Sequence, residues 1–311
     1  MSMDKKTLKK LKIGVLMGGQ SAEREVSLRS GAAVVRALKS RGYAARPIDA
    51  GPDLWHVLKK EKIGFAFIAL HGGHGENGAV QGMLEIMGIP YTGSGLLSSA
   101  LAMDKEASKK IFRYHGIPVP AFHIVRRQEF KKPETGLKTG FRLPWVVKPS
   151  TEGSSVGVEI VRRREDAVRA VNKAFAYGDS VVIEEYIPGR EVQIGILNDS
   201  PIGGVEVRPS TEFYSYEAKY TAGMTEYIIP PAIDGRTLRR AEQAALAAHR
   251  ALGCSGATRV DLIVDEKKDI VVLEVNTIPG MTETSLLPKI AAGAGLDFPT
   301  LIEKIMEGAR G

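Results

Sequence analysis

Cysteine is almost missing: the chain has one, Cys254, in 311 residues. A single thiol excludes an internal disulfide framework and fits a reducing compartment, the cytoplasm. Cys254 reads as a small apolar residue beside a helix end rather than as a nucleophile. No apolar run approaches the ~18 residues that span a bilayer, so no membrane partner is expected. The basic start "MSMDKKTLKKLK" leads straight into "IGVLMGG" without a cleavage-type tail, so it does not read as a signal peptide. Long basic runs are also lacking. Lys and Arg number 43 against 36 Asp and Glu, a net charge of +7. That excess suggests anionic partners or a solvated face. Because it is dispersed and not interleaved with aromatics, nucleic acid is the weaker option. Repeats and low-complexity segments are absent. What is present, 43% hydrophobic and 25% charged residues at a mean hydropathy of -0.09, suits two or three packed units.

From Lys12 to about Leu101 strand-like and helical patterns alternate. "KIGVLM", "YAARPIDA" and "GFAFIAL" read as strands, with "EVSLRSGAAVVRALKSRG" and "GAVQGMLEIMG" as helices. Such alternation predicts a parallel sheet, whose ligands bind beyond the carboxyl ends of its strands. The turns "MGGQSAERE" and "LHGGHGENG" fall at those ends. After the helical "MDKEASKKIFRYHG" the pattern becomes α+β with antiparallel pairing: "VPAFHIVR", "WVVKPS", "VGVEIVR" and "VVIEEYI", around a helix at "REDAVRAVNKAFAYG". A third region adds "EVQIGILN", "PIGGVEVRP", the helix "RTLRRAEQAALAAHRALG" and the strands "ATRVDLIVD" and "DIVVLEVN". The expected units are 1–102, 103–188 and 189–311. The polar, irregular stretch at about 210–227 reads as a lid or binding loop.

Three groups of residues carry chemistry. Lys148 ends the strand "WVVK" and precedes a Gly/Ser turn, which offers a point charge and close-approaching N–H donors. A polyphosphate needs both. No GK[ST] follows, so this is not a Walker loop; a surface hairpin with an exposed lysine is the other reading. Asp261 and Glu274 lie inside apolar runs, where a carboxylate is costly unless paired or metal-bound. Asn276, two residues past Glu274, shares its face. That oxygen-rich set suits Mg²⁺, which keeps waters and shares phosphate oxygens; salt bridges to Arg259 and nearby lysines are the alternative. Glu184 and Glu191 in "VVIEEYIPGRE" offer acceptors for an adenine amino group and ribose hydroxyls, or are solvated surface glutamates.

Seven segments occur here in order: "GGQSAEREVSLRSG", "ALHGGHGENGAVQGMLEIMGIPYTGSG", "MDKEASKK", "VVKPSTEGSSVGV", "EFYSYEAKY", "ATRVDLIVD" and "LEVNTIPGMTETSLLP". Together they closely resemble the D-alanine–D-alanine ligases of the ATP-grasp superfamily, from about Lys12 to the last helix. The resemblance implies a three-domain architecture, α/β and α+β. Its N-terminal domain has a parallel sheet, and ATP is held between two mainly antiparallel sheets. It also implies ATP-dependent joining of two D-alanines through an acyl phosphate, for cell-wall precursors, with two Mg²⁺ ions that Mn²⁺ can replace. A homodimer through the N-terminal domain is implied as well. Carried over by motif, Lys105, Lys148 and Lys219 hold ATP, with Glu152, Ser154 and Ser155 in the flap above it. Glu184 and Glu191 take adenine and ribose, and Asp261, Glu274 and Asn276 take metal. Arg259 and the Gly280 N–H stabilise an oxyanion. Glu23 receives the first D-alanine's ammonium, with His71 near its carboxylate, and Ser285 and Leu286 receive the second carboxylate. Glu23, Ser154 and Tyr220 form a triad that holds the lid shut. His74 has no assigned role and reads as a surface-turn residue.

Tyr220 in "EAKY" resembles the dipeptide-forming ligases; depsipeptide-forming relatives commonly carry histidine there. D-alanyl-D-lactate or D-alanyl-D-serine formation is the alternative within the family. A non-catalytic nucleotide-binding protein of this fold is the alternative outside enzymology, but such a protein could lose Glu23 and Arg259 at little cost.

Overall fold

The computed structural model describes residues 3–130, 137–210, 223–267, 269–282 and 284–309. A short helix α1 (Lys5–Leu8) precedes β1 (Lys12–Met17), α2 (Arg24–Ser40), β2 (Ala44–Asp49), α3 (Leu54–Lys60), β3 (Phe65–Ile68) and α4 (Ala79–Met87). β1 is central and pairs in parallel with both β2 and β3, as strand–helix alternation demands. Leu16, Ile48 and Ile68 pack on one face against Leu54 and Leu58 of α3 and Leu84 of α4. The other face carries Val15, Phe65 and Phe67 and is covered by Val34 and Leu38 of α2.

Helices α5 (Leu96–Met103) and α6 (Lys105–Tyr114) lead to β4 (Phe122–Arg126), β5 (Trp145–Pro149), β6 (Glu159–Val161), α7 (Ala167–Ala174) and β7 (Ser180–Glu185). These strands form an antiparallel sheet in the order β4-β7-β5-β6. Trp145, Val147, Val181 and Ile183 pack against Ala170, Val171 and Ala174 of α7.

Then come β8 (Gly189–Leu197), β9 (Ser200–Pro209), β10 (Thr225–Ile228), α8 (Gly235–Ala251), β11 (Ala257–Asp265), β12 (Ile270–Asn276), α9 (Leu286–Gly293) and α10 (Phe298–Glu307). The second antiparallel sheet runs β10-β9-β8-β11-β12. Ala241, Ala245 and Ala248 of α8, spaced at helical intervals, bring that helix close onto Val192, Ile194, Val260 and Leu262. Part of the stretch expected to be irregular is ordered: Thr225–Ile228 pairs antiparallel with β9, Thr225 opposite Pro209. Alternating residues of one edge strand need only one packed neighbour, so polar composition does not prevent pairing. Residues 211–222 of the expected lid lie outside the described residues.

The cores do not follow chain order. Leu301, Ile302, Ile305 and Met306 of the C-terminal α10 share the N-terminal core with α2, and Phe112 of α6 shares the core beneath α8.

Candidate active site

Alternation along β5 buries Trp145 and Val147 and sends Val146 and Lys148 to the opposite face, into a cleft. Glu184 of β7 lies on that face, directly across from Val146. Lys148 is 7% exposed, so it is a wall residue and not the tip of a surface hairpin. Its Nζ lies 2.9 Å from Glu184 Oε1, and Lys109 Nζ lies 2.8 Å from the same oxygen. Burial pushes the Lys109 ammonium down to about 8, against the pull of Glu184. Burial alone would raise Glu184, but Lys109 and Lys148 outweigh it and hold that carboxyl below the ordinary range.

A capped helix start delivers Lys109. Asp104 accepts from the N–H groups of Glu106 at 2.9 Å and Ala107 at 3.2 Å, and from Ser150 Oγ at 2.7 Å. The cap therefore ties the start of α6 to the end of β5. Lys105 and Lys109, one turn apart, project from the same side of α6. Lys105 Nζ donates to the Glu152 carbonyl at 2.6 Å and lies 3.4 Å from Glu274 Oε2, bridging the turn and the opposite sheet.

The turn after β5 bends through two left-handed serines, Ser154 at φ 50° and Ser155 at φ 60°. Side chains there cost about 1–2 kcal/mol per residue, so the conformation is held from outside the turn. One such hold is visible: Ser154 Oγ donates to Glu23 Oε1 at 2.5 Å.

The facing wall is built by β11 and β12. Asp261 stands opposite Glu274, and Arg259 opposite Asn276, with a register shift between Asp261 and Leu262. Arg259 forks onto Asp261, Nε to Oδ1 at 2.8 Å and one terminal nitrogen to Oδ2 at 2.9 Å; Asn276 Nδ2 donates to Oδ2 at 3.2 Å. The salt bridges weighed as the alternative to metal binding are thus present.

Two cavities meet here. The first lies between the two antiparallel sheets. Lys105, Lys148, Glu152 and Ser155 line it on one side, with Glu184, Glu191, Asp261 and Glu274 completing it. The second is lined by Glu23, His71, Ser154 and Arg259, then by Glu274, Asn276, Gly280, Ser285 and Leu286. Glu274 belongs to both. Glu23 is the N-cap of α2, just beyond β1, and His71 follows β3, so both sit past carboxyl ends of the parallel sheet. His71 is buried, its Nε2 3.2 Å from Ser30 Oγ and its Nδ1 3.6 Å from Glu76 Oε1. Ser285 is the N-cap of α9 and Leu286 its first residue; Ser285 Oγ accepts from the Thr282 N–H at 3.0 Å. A helix start of this kind presents N–H groups and a positive dipole end to an anion. Gly280 packs so closely that an added Cβ would lie 2.6 Å from Ser285 Oγ.

Every described residue expected at the site therefore lines one of these two cavities, while Lys219 and Tyr220 lie outside the described residues. His74 is exposed in its turn. Sequence reasoning missed Lys109 and Glu76. Both had a signal: Lys109 stands at i+4 from Lys105 in a helical run, and Glu76 stands in the same glycine-rich turn as His71.

Two antiparallel sheets facing each other across a cleft, with a Gly/Ser turn along its rim, define the ATP-grasp class of ligase. Comparison with known proteins narrows this. The D-ala D-ala ligase N-terminus model matches residues 12–63 and 54–94, and the D-ala D-ala ligase C-terminus model matches residues 111–307. D-alanine–D-alanine ligases from Geobacter sulfurreducens and Geotalea uraniireducens are 54% and 52% identical to this chain. The first alignment covers 99% of this chain and 96% of the relative; the second covers 97% and 96%. The crystal structure of the Bacillus anthracis D-alanine–D-alanine ligase complexed with ATP matches at a TM-score of 0.83 with 36% identity, over 96% of this chain and 97% of that one. The Enterococcus faecalis VanG D-Ala:D-Ser ligase matches at 0.81 with 32% identity, over 95% and 98%. The chain belongs to the D-alanine–D-alanine ligase family.

Proposed function

We propose that this enzyme uses ATP to join two D-alanines into D-alanyl-D-alanine for peptidoglycan precursors. The observation that carries the reading is the meeting of the two cavities at Glu274: phosphates of a nucleotide in the first would lie beside an amino acid held in the second. A carboxylate is a poor electrophile, so the γ-phosphoryl group is transferred first. A bond forms between the D-alanine carboxylate oxygen and γ-phosphorus as the bond to ADP's oxygen breaks. The amine of the second D-alanine then attacks the carbonyl, and phosphate leaves from the tetrahedral intermediate.

The chain's residues divide this work. Lys105 and Lys148 neutralise phosphate charge, while Glu184 and Glu191 orient the adenosine end. Glu152, Ser154 and Ser155 cover the reacting atoms and exclude water, which would otherwise hydrolyse the acyl phosphate. Glu23 takes the first ammonium, with His71 beside its carboxylate. Arg259 and the Gly280 N–H face the developing oxyanion. Ser285 Oγ and the N–H groups at the start of α9 take the second carboxylate.

Asp261, Glu274 and Asn276 supply hard oxygen donors that fit Mg²⁺, or Mn²⁺ in its place. Among the described residues no cluster of three His, Cys, Asp or Glu side chains could hold a metal, so the fit relies on phosphate oxygens and water to complete the shell. Bound there, the ion would screen the phosphates and polarise them. Lys105 beside Glu274 and Arg259 on Asp261 keep both carboxylates matched by cations in the protein itself.

The test is product identity by mass. ATP and Mg²⁺ are supplied with D-alanine, with L-alanine, with D-alanine plus D-lactate, or with D-alanine plus D-serine. D-alanyl-D-alanine with stoichiometric phosphate is expected from D-alanine alone. A mixed product dominating over it would move the enzyme to the D-lactate or D-serine type, and no product in any arm would overturn ligation.

A further inference from the structure

The first cavity is oddly charged for a polyphosphate site. Its lining holds two lysines, Lys105 and Lys148, against six acidic side chains. Lys105 lies beside Glu274, and Lys148 lies beside the buried Glu184, which by itself would cancel its charge. Glu184, however, has a second cation on the same oxygen. Lys109 is 0% exposed and does not line the cavity, so it touches no nucleotide. Its Nζ is 2.8 Å from Glu184 Oε1 and 3.4 Å from the Leu273 carbonyl of the facing wall. Two ammonium groups share one carboxylate, leaving a net single positive charge where Lys148 meets the cleft.

We infer that Lys109 is the positioning residue of the phosphate wall: by engaging Glu184 from behind, it frees the charge of Lys148 for the nucleotide's phosphates. This deepens the nucleotide reading proposed above and rests on it. A buried ammonium is a poor device for stability, because desolvation offsets much of what its ion pair gains. Here the same burial keeps solvent from screening the charge it confers.

The test separates phosphate charge from overall shape by titrating full-length protein with ATP and with AMP in Mg²⁺, using displacement of a fluorescent nucleotide. In Lys109→Met the ATP-to-AMP affinity ratio is expected to fall by at least about tenfold, the loss of one little-screened unit charge near the phosphates. Lys109→Arg, which keeps the charge, should remain within about threefold of wild type. Lys109→Met combined with Glu184→Gln removes one charge of each sign; losing the Glu184 contact with the adenosine end weakens ATP and AMP alike, so their ratio, though not the affinities themselves, should return to the wild-type value. This pair also keeps the inference testable if the single variant fails to fold. An unchanged ratio in Lys109→Met, equal losses for ATP and AMP, or a lowered ratio in the double variant would each overturn the inference and leave the nucleotide reading standing. A wild-type protein that binds no ATP would overturn both.

Discussion

At the scale of single residues, the site's charges are arranged so that each can be removed with a different consequence. Truncating Lys148 leaves Glu184 still paired with Lys109, so the fold should persist while the phosphates lose their contact. We expect Lys148→Ala and Glu274→Ala to lose about 10²–10³-fold or more in ligation, the scale seen when a group stabilising reaction charge is deleted. Circular dichroism and melting temperature should stay close to wild type. Near-normal turnover at saturating ATP and Mg²⁺ would remove either residue from the site. Glu184→Ala differs, because it strands two buried ammonium groups. It should destabilise the protein by about 3–5 kcal/mol in urea unfolding, and a loss below about 1 kcal/mol would contradict the shared pairing. These residues were unequally legible. Glu274 and Asp261 were conspicuous because carboxylates are rare inside apolar strand runs. Lys109 shared a helix face with Lys105, but its role was hidden because its partner, Glu184, arrives from a distant strand and only the fold unites them.

At the scale of elements, local pattern served well wherever periodicity was strong. The alternating residues of β5 and the four- and three-residue alanine spacing of α8 specify which face is buried before any partner is known. Edge strand β10 was lost to its polar composition, and no local pattern reveals where α10 docks. That docking has a titratable clasp. Tyr43, just before β2, donates to Glu303 of α10 at 3.0 Å, and Lys5 of α1 lies 3.0 Å from the same carboxylate. Burial raises the Glu303 carboxyl, but Lys5 and Tyr43 outweigh it and hold it below its ordinary value of 4.5. A depressed carboxyl contributes stability that is fully present above 4.5 and lost as pH falls through the folded value. Melting temperature should therefore drop less between pH 7 and pH 3.5 in Glu303→Gln than in wild type, with the variant starting lower. Parallel curves would show that the clasp does not titrate with folding.

At the scale of the whole molecule, catalysis depends on three sheets arriving at one place. Glu23 comes from the start of α2 beyond β1, Ser154 from the turn after β5, and Arg259 from β11, yet all three line the same cavity. Motif order along the chain named these residues, but their distances depend on strand orders and crossovers that local pattern does not encode. The hydrogen bond from Ser154 to Glu23 joins the first sheet's loops to the rim of the nucleotide cleft. It also holds a left-handed serine that would otherwise relax. Ser154→Ala removes the bond without changing charge or the nucleotide's contacts with Lys105 and Lys148. Nucleotide affinity should thus change by less than about threefold, since Ser154 lines the second cavity and not the first. The rim would open more often, and water would reach the acyl phosphate that closure protects. Phosphate release should then outrun dipeptide formation, where wild type releases one phosphate per dipeptide. Tight coupling in Ser154→Ala, measured as phosphate against D-alanyl-D-alanine in one reaction, would mean that the contact between the sheets is not what keeps the intermediate dry.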